Sequence, residues 1–268
     1  MKLPIYYVDA FTSERFKGNP AAVVPLDQWL PETTMQAIAT ENNLSETAFF
    51  VPRADGSYHI RWFSPKTEIA FCGHATLASA HIMLEGGTAA SPITFWADAV
   101  GELTVKSLDD DADGSGAIEM SFPNREPKPV PVVPLAVITG LSIEPTEVLK
   151  NEQAYVVVYE NELQVRDVIP DLPRLKELGP LDVAVTAPGK NHDFVSRYFW
   201  PANGGDEDPV TGSIHAGLAP YWAKRLKKTE LTALQASRRT GLVKCRVEGR
   251  RVHVAGNCVK YLQGTIEV

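Results

Sequence analysis

One short pattern occurs twice in this chain, and it constrains the fold more than any other feature. The first copy reads Arg61-Trp62-Phe63-Ser64-Pro65, then Cys72-Gly73-His74-Ala75-Thr76-Leu77-Ala78. The second reads Arg197-Tyr198-Phe199-Trp200-Pro201, then Asp208-Pro209-Val210-Thr211-Gly212-Ser213-Ile214-His215-Ala216. Each copy is an Arg-aromatic-Phe-x-Pro strand, an acidic loop (Glu68; Asp206, Glu207 and Asp208), a small-residue turn and an apolar helix. Two such units, half a chain apart, predict two helix N-termini facing one cleft. Helix N-termini carry unpaired N–H groups and the positive end of the dipole, so such a cleft suits a small anion such as a carboxylate.

A duplicated unit in 268 residues fits two modest lobes better than one core. The first lobe is read as residues 1–122. It has a strand pair at 5–11 and 21–24, a helix from Pro31 to Asn42 with Met35, Ile38 and Ala39 inward, and strands at 47–51 and 58–63. A helix from Gly73 to Leu84 follows, then strand character over 93–108 and 117–122, separated by an acidic turn from Asp109 to Gly116. Residues 123–134 hold five prolines in twelve positions and read as a stiff linker. The second lobe is read as 135–268, with the last strand free to return to the first lobe. It carries strands at 154–159, 183–187 and 194–199, a short helix near 172–178, a helix from Ser213 to Leu226 and a closing meander. Mixed strands with one dominant helix per half give an α+β chain with internal pseudo-symmetry.

Charge narrows the function. A net charge of −7 argues against nucleic-acid binding, which needs clustered Lys and Arg. Lys224-Arg225-Leu226-Lys227-Lys228 reads as the solvated end of a helix. No apolar run approaches the ~20 residues that span a bilayer. Three cysteines with no CxxC read as free thiols in a reducing compartment, so a cytoplasmic protein is expected. His59, His74, His81, His192, His215 and His253 show no metal-ligand spacing, and no glycine fingerprint for a nucleotide is present. No metal or cofactor is therefore expected.

The chemistry-bearing residues are few. Glu46 enters an apolar strand from a polar loop, where a partly desolvated carboxylate can take and return a proton; a solvated strand end is the plainer reading. His74, at a helix start, is expected as the neutral imidazole because the dipole disfavours the cation. Cys72 could be a thiolate base, but the second copy places Asp208 or Pro209 opposite it, never a thiol. Thr211 or Ser213 is expected to cap the second helix. Capping leaves unexplained why an acidic loop precedes both helices.

Several motifs in order then resemble one family. Asp9-Ala10-Phe11-Thr12, Gly18-Asn19-Pro20-Ala21-Ala22-Val23, Leu44-Ser45-Glu46-Thr47-Ala48-Phe49, Cys72-Gly73-His74-Ala75-Thr76 and Asp208-Pro209-Val210-Thr211-Gly212-Ser213 resemble the phenazine-biosynthesis PhzF family of isomerases. Gln235-Ala236-Ser237-Arg238-Arg239-Thr240-Gly241 fits too, with Thr240-Gly241 where the family more often shows Gly-Gly. The resemblance implies a diaminopimelate-epimerase-like fold, with two pseudo-symmetric lobes that each wrap a curved mixed sheet around a central helix. It implies a cofactor-independent homodimer acting on a small carboxylate-bearing metabolite. The family's catalytic glutamate falls on Glu46 and its supporting residues on His74, Asp208 and Ser213. Gly73 and Gly212 fall where backbone N–H groups hold the substrate, with Ser213 beside them.

The leading expectation is an isomerase in which Glu46 moves a proton between carbons. A racemase or epimerase of a small amino or hydroxy acid is the alternative; it needs bases on two faces, with Glu46 as one and Asp208 or Cys72 as a second, and the superfamily's second cysteine is missing. A non-catalytic binding protein on the same fold is a third reading, disfavoured by the joint presence of Glu46, His74, Asp208 and Ser213.

Overall fold

The computed structural model describes residues 1–108 and 116–268. They form two compact units, Met1–Ser121 with Ala255–Val268, and Phe122–Val254. The acidic turn read at 109–116 lies, apart from Gly116, outside the described residues.

In the first unit, β1 (Lys2–Ala10) runs antiparallel to both β2 (Asn19–Pro25) and the C-terminal strand Cys258–Glu267. Helix α1 (Glu32–Asn42) leads into β3 (Glu46–Pro52), parallel to β2, and β4 (Tyr58–Phe63) turns back antiparallel to β3. The short β5 (Glu68–Ile69) precedes α2 (Gly73–Glu85). A meander, β6 (Ile93–Ala97), β7 (Gly101–Ser107) and β8 (Ile118–Pro123), follows. The strand character read over 93–108 resolves into two strands with a turn between them that ends at Gly101, whose φ of 80° suits glycine.

Helix α2 is buried from His74 to Leu84 on every side and packs on β1, β2 and β3. A helix apolar all round has no solvent face to keep, so the sheet wraps it. Helix α1 covers the same sheet through Met35, Ile38 and Ala39, which join Val24, Phe49 and Phe63 in one core. With helices on both faces, β3 buries every residue from Glu46 to Val51. Such a strand reads as a continuous buried run rather than an alternation.

The second unit repeats the style. Its strands are β9 (Lys128–Pro129), β10 (Glu147–Lys150), β11 (Ala154–Val158), β12 (Asp182–Pro188), β13 (Phe194–Phe199), β14 (Glu230–Gln235), β15 (Gly241–Glu248) and β16 (Arg251–Gly256). Its helices are α3 (Leu135–Thr139), α4 (Glu162–Asp167), α5 (Leu172–Lys176) and the dominant α6 (His215–Leu226), buried from His215 to Ala223. The β11–β12 and β13–β14 pairs are parallel; β10–β11, β12–β13 and β14–β15 are antiparallel. Each unit is therefore a mixed sheet around one apolar helix, an α+β arrangement.

Two sequence readings change here. Residues 123–134 do not stand apart as a linker. Lys128-Pro129 pairs with β10, and Val130 and Val133 pack on the second unit's core. Proline tolerates this because a two-residue edge pairing asks for few N–H donors. Helix α6 starts at His215, not Ser213, and neither Thr211 nor Ser213 caps it: Ile214 holds the cap position in a helical conformation with no side-chain bond. A tight turn takes over, with His215 and Ala216 donating to the Gly212 and Ser213 carbonyls.

Among the described residues no helix is long and apolar enough to cross a membrane.

Candidate active site

The site in the first unit follows from strand register. Asn19 opens β2, and Ala21, two residues on, is the register partner of Glu46 on parallel β3. Residues two apart share a face, so Asn19 and Glu46 share one. Helix α2 packs there, with His74 in its first turn. Glu46 itself is set by a short connection: α1 ends at Asn43 in the left-handed region (φ 49°), and Asn42 accepts from Tyr7 Oη and donates to Thr47 Oγ1.

The result is a chain of buried polar contacts. His74 Nε2 lies 3.1 Å from Glu46 Oε2. His74 Nδ1 meets Asn19 Nδ2 at 3.2 Å and Cys72 Sγ at 3.4 Å. Ser45 Oγ donates to Asn19 Oδ1 at 3.3 Å. Glu46 and Cys72 are 6% exposed and His74 7%. The N–H groups of Gly73 and His74 have no acceptor among the described residues, as the first turn of a helix leaves them.

The charge on His74 is not what the helix start alone predicts. Burial by itself disfavours the imidazolium, but the Cys72 sulfur and the Glu46 carboxylate outweigh it and hold His74 well above the ordinary histidine value. Burial pushes the Cys72 thiol up to about 11, with Glu46 adding to the rise and His74 opposing it. Cys72 is therefore a thiol at neutral pH, not the thiolate base that a helix start could favour. The carboxyl group of Glu46 faces His74 Nε2 at 3.1 Å.

Glu46, Cys72 and His74 each offer a donor atom, all within 4.8 Å of one another. Sequence spacing gave no metal-ligand set, because the donors come from β3 and the start of α2. Cys245 and Cys258 are buried free thiols, both pushed up by burial, Cys258 to about 12.

In the second unit, Asp208, Gly212 and Ser213 lie in the turn before α6. The Asp208 N–H donates to the Tyr198 carbonyl. Its Oδ2 accepts from Thr211 Oγ1, and Gln235 accepts from the Thr211 N–H and donates to the Asp208 carbonyl, both at 2.8 Å. Ser213 Oγ accepts from Gln153 Nε2 at 2.9 Å; Gln153 also donates to Tyr198 Oη, which donates to Asp182 at 2.6 Å. The Gly212 and Ser213 N–H groups have no acceptor among the described residues. His215 is fully buried; burial pushes it down to about 4, so it is neutral, and its Nδ1–H donates to the Thr211 carbonyl at 2.9 Å.

The duplicated motif now has a physical reason. Arg61 grips Glu68 with two bonds of 2.6 Å, and Arg197 grips Glu207 with bonds of 2.7 and 2.9 Å. Each acidic loop supplies the carboxylate that fastens the segment ahead of its helix to the motif's arginine. Bidentate pairing fixes direction as well as distance.

Asn19, Ser45, Gln153 and Gln235 were missed by reasoning from sequence. Asn19, Ser45 and Gln235 lie inside the family motifs, so a signal existed; Gln153 had none.

A phenazine biosynthesis-like family model matches residues 8–264. The chain belongs to that family. It is 47% identical over 268 residues, the whole of both chains, to an uncharacterized isomerase of Pseudomonas aeruginosa. A PhzF-family crystal structure from Enterococcus faecalis superposes with a TM-score of 0.93 at 41% identity, covering both chains fully. A hydroxyproline epimerase from Agrobacterium vitis shares the fold, with a TM-score of 0.61 at 10% identity over 99% of this chain and 92% of its own. The fold is diaminopimelate-epimerase-like, and the protein is an isomerase.

Proposed function

We propose that this isomerase moves a proton between two carbons of a small carboxylate-bearing metabolite, with Glu46 as the acid and base. One observation carries the reading: a buried carboxylate pinned by His74 at 3.1 Å, beside helix-start N–H groups with no acceptor. His74 holds Oε2 and leaves Oε1 to face substrate. Glu46 takes a proton from one carbon, the electron pair delocalises through the conjugated carboxylate, and the same proton returns at a second carbon as the double bond shifts. Nothing is gained or lost, and no second base is required. The Gly73 and His74 N–H groups suit the charge that develops. Asp208 enters as a residue that orients the substrate, and Gly212 and Ser213 as binders of its carboxylate, as the family resemblance implies.

One-carbon inversion asks for more. Two bases flanking one carbon stand about 6 Å apart, twice a hydrogen-bond reach. Glu46 and Cys72 place donor atoms within 4.8 Å of each other with His74 in the same cluster, so they do not make such a pair. A cytoplasmic homodimer completes the proposal, supported by the three free, buried thiols and by the family resemblance; size-exclusion with light scattering tests the dimer.

The test is proton exchange. Candidate unsaturated carboxylic acids are incubated with enzyme in D2O and followed by NMR. A 1,3-shift gives a moved double bond with deuterium at the new carbon or internal proton return. Deuterium at one unmoved stereocentre, or turnover surviving Glu46→Gln, sinks the proposal.

A further inference from the structure

We infer that Gln153, held by Tyr198 and Asp182, is a positioning residue: it fills the acceptor side of Ser213 Oγ and so commits the Ser213 proton to a ligand carboxylate. The inference rests on the reading of Ser213 as a carboxylate binder and adds what gives that hydroxyl its direction.

Strand register brings the parts together within the second unit. Ala154, which opens β11, is the register partner of Asp182 on parallel β12, so Gln153 sits one residue before that pairing. Its carbonyl accepts from the Asp182 N–H at 3.1 Å, and its own N–H donates to Asn151 Oδ1 at 2.9 Å. Asp182 lies two residues before Ala184, the register partner of Tyr198 on antiparallel β13. Residues two apart share a face, so the Asp182 carboxyl and the Tyr198 hydroxyl meet.

Counting donors and acceptors then fixes the direction of every bond. Asp182 accepts at both oxygens, from Asn203 Nδ2 at 2.7 Å and from Tyr198 Oη at 2.6 Å. Tyrosine has one hydroxyl proton to give. Burial and the Asp182 carboxyl push the Tyr198 phenol up, so it keeps that proton. With the proton spent on Asp182, Tyr198 Oη accepts from Gln153 Nε2 at 3.1 Å. The same Nε2 donates to Ser213 Oγ at 2.9 Å. Gln153 Oε1 is left buried with no partner among the described residues. Turning the amide over would satisfy Oε1 with the Ser213 proton and would break the bond to Tyr198. As it stands, the Ser213 proton has no acceptor among the described residues, and Ser213 is only half-buried. A group placed against it must accept, as a carboxylate does. Bonds that all run one way also strengthen one another.

The fold itself does not require this relay. In the first copy of the duplicated motif, Trp62 takes the place of Tyr198. Trp62 is 1% exposed, and its Nε1 has no hydrogen-bond partner among the described residues. Packing asks for an aromatic ring at that position; the hydroxyl that orders Gln153 belongs to the second copy alone.

The test has two readouts on the full-length protein. Neutron diffraction of deuterated wild-type crystals locates the protons. Gln153 Nε2 is expected to donate to both Tyr198 and Ser213, with the Ser213 deuteron turned away from Gln153. The second readout uses crotonate as the carboxylate probe, titrated by NMR on the backbone amides of residues 212 and 213. Ser213→Ala should weaken crotonate binding about tenfold, the worth of one hydrogen bond to a charged group. Gln153→Met and Tyr198→Phe should each weaken it about threefold or more. Neither should add anything in the Ser213→Ala background, where a merely structural loss would persist. Should a variant fail to fold, the neutron map of the wild type decides. Wild-type protein that does not hold crotonate at these amides overturns the carboxylate reading of Ser213 and the inference with it. A Ser213 deuteron on Gln153 Oε1, or a Gln153→Met loss that persists in the Ser213→Ala background, overturns the inference alone.

Discussion

His74 Nε2 sits 3.1 Å from Glu46 Oε2, and this contact joins the Cys72 sulfur in holding the imidazole above its ordinary value against burial. A helix N-terminus disfavours a cation by roughly 0.3–1 kcal/mol. Unit charges ~3 Å apart at an effective dielectric of ~20 attract by about 5 kcal/mol. The carboxylate outweighs the dipole, while burial opposes the charge on the imidazole.

Glu46→Gln tests the pair and the base together. Turnover should fall by about 10²–10⁴-fold, the usual worth of a positioned acid–base group. His74 should also lose the part of its support that Glu46 supplies and titrate lower than in the wild type. A histidine held high when folded adds stability that is complete below its unfolded pKa of about 6.5 and is lost as pH rises through the folded value. The stability gap between wild type and variant should therefore widen from pH 9 to pH 6 in denaturant titrations. A gap that is flat or narrows toward acid refutes the ion pair.

Cys72→Ala should be far milder. The thiol is uncharged at neutral pH and makes only weak contacts with His74, 3.4 Å to Nδ1 and 3.9 Å to Nε2, so turnover should stay within about tenfold of wild type while stability falls by ~1 kcal/mol. Alkylation at Cys72 should be slow, because burial holds it at about 11. Complete loss of turnover in Cys72→Ala would return the racemase reading.

His215 predicts an acid limb. Its folded value near 4 lies below the ordinary 6.5, so the unfolded chain binds more protons between those values and stability is lost as pH falls through that window. The effect is worth roughly 3 kcal/mol at ~1.4 kcal/mol per pH unit. His215→Asn keeps a donor for the Thr211 carbonyl and should flatten this limb between pH 6.5 and 4. An unchanged slope shows that His215 is not its source.

Arg197→Lys should destabilise the second unit by ~1–3 kcal/mol. Lysine keeps the charge but loses the fork that grips both Glu207 oxygens and the bond to the Val168 carbonyl. The pair is partly exposed, so the estimate stays below the ~3–5 kcal/mol of a fully buried break. Thermal melting of Arg197→Lys beside Glu207→Gln reads this out; melts equal to wild type would show the clamp to be idle.

Thr240 sits at φ 58°, in the left-handed region that costs a β-branched residue most. Thr240→Gly relieves this at some cost in unfolded-chain entropy, and a net gain of up to ~1 kcal/mol is expected by denaturant midpoint. A loss of stability would show that the Thr240 hydroxyl, which donates to the Arg239 carbonyl, outweighs the strain.

By itself the sequence determined the duplication, most of the elements and the family. Local pattern suffices for these: Tyr58–Phe63 and the apolar run after Gly73 fall where the structure has β4 and α2, because alternation and unbroken apolar runs are written in neighbouring residues. The order of motifs likewise picked out Glu46 and His74. Strand β14 escaped notice, since Glu230–Gln235 is a strand only by pairing with β13 and β15. Tertiary structure alone decided which groups touch. Asn19 meets His74 across 55 positions and Arg197 finds Glu207 rather than Asp206 or Asp208. It also decided the charge of His74 and Cys72, because burial and a carboxylate 3.1 Å away act through space more strongly than any local helix-end effect.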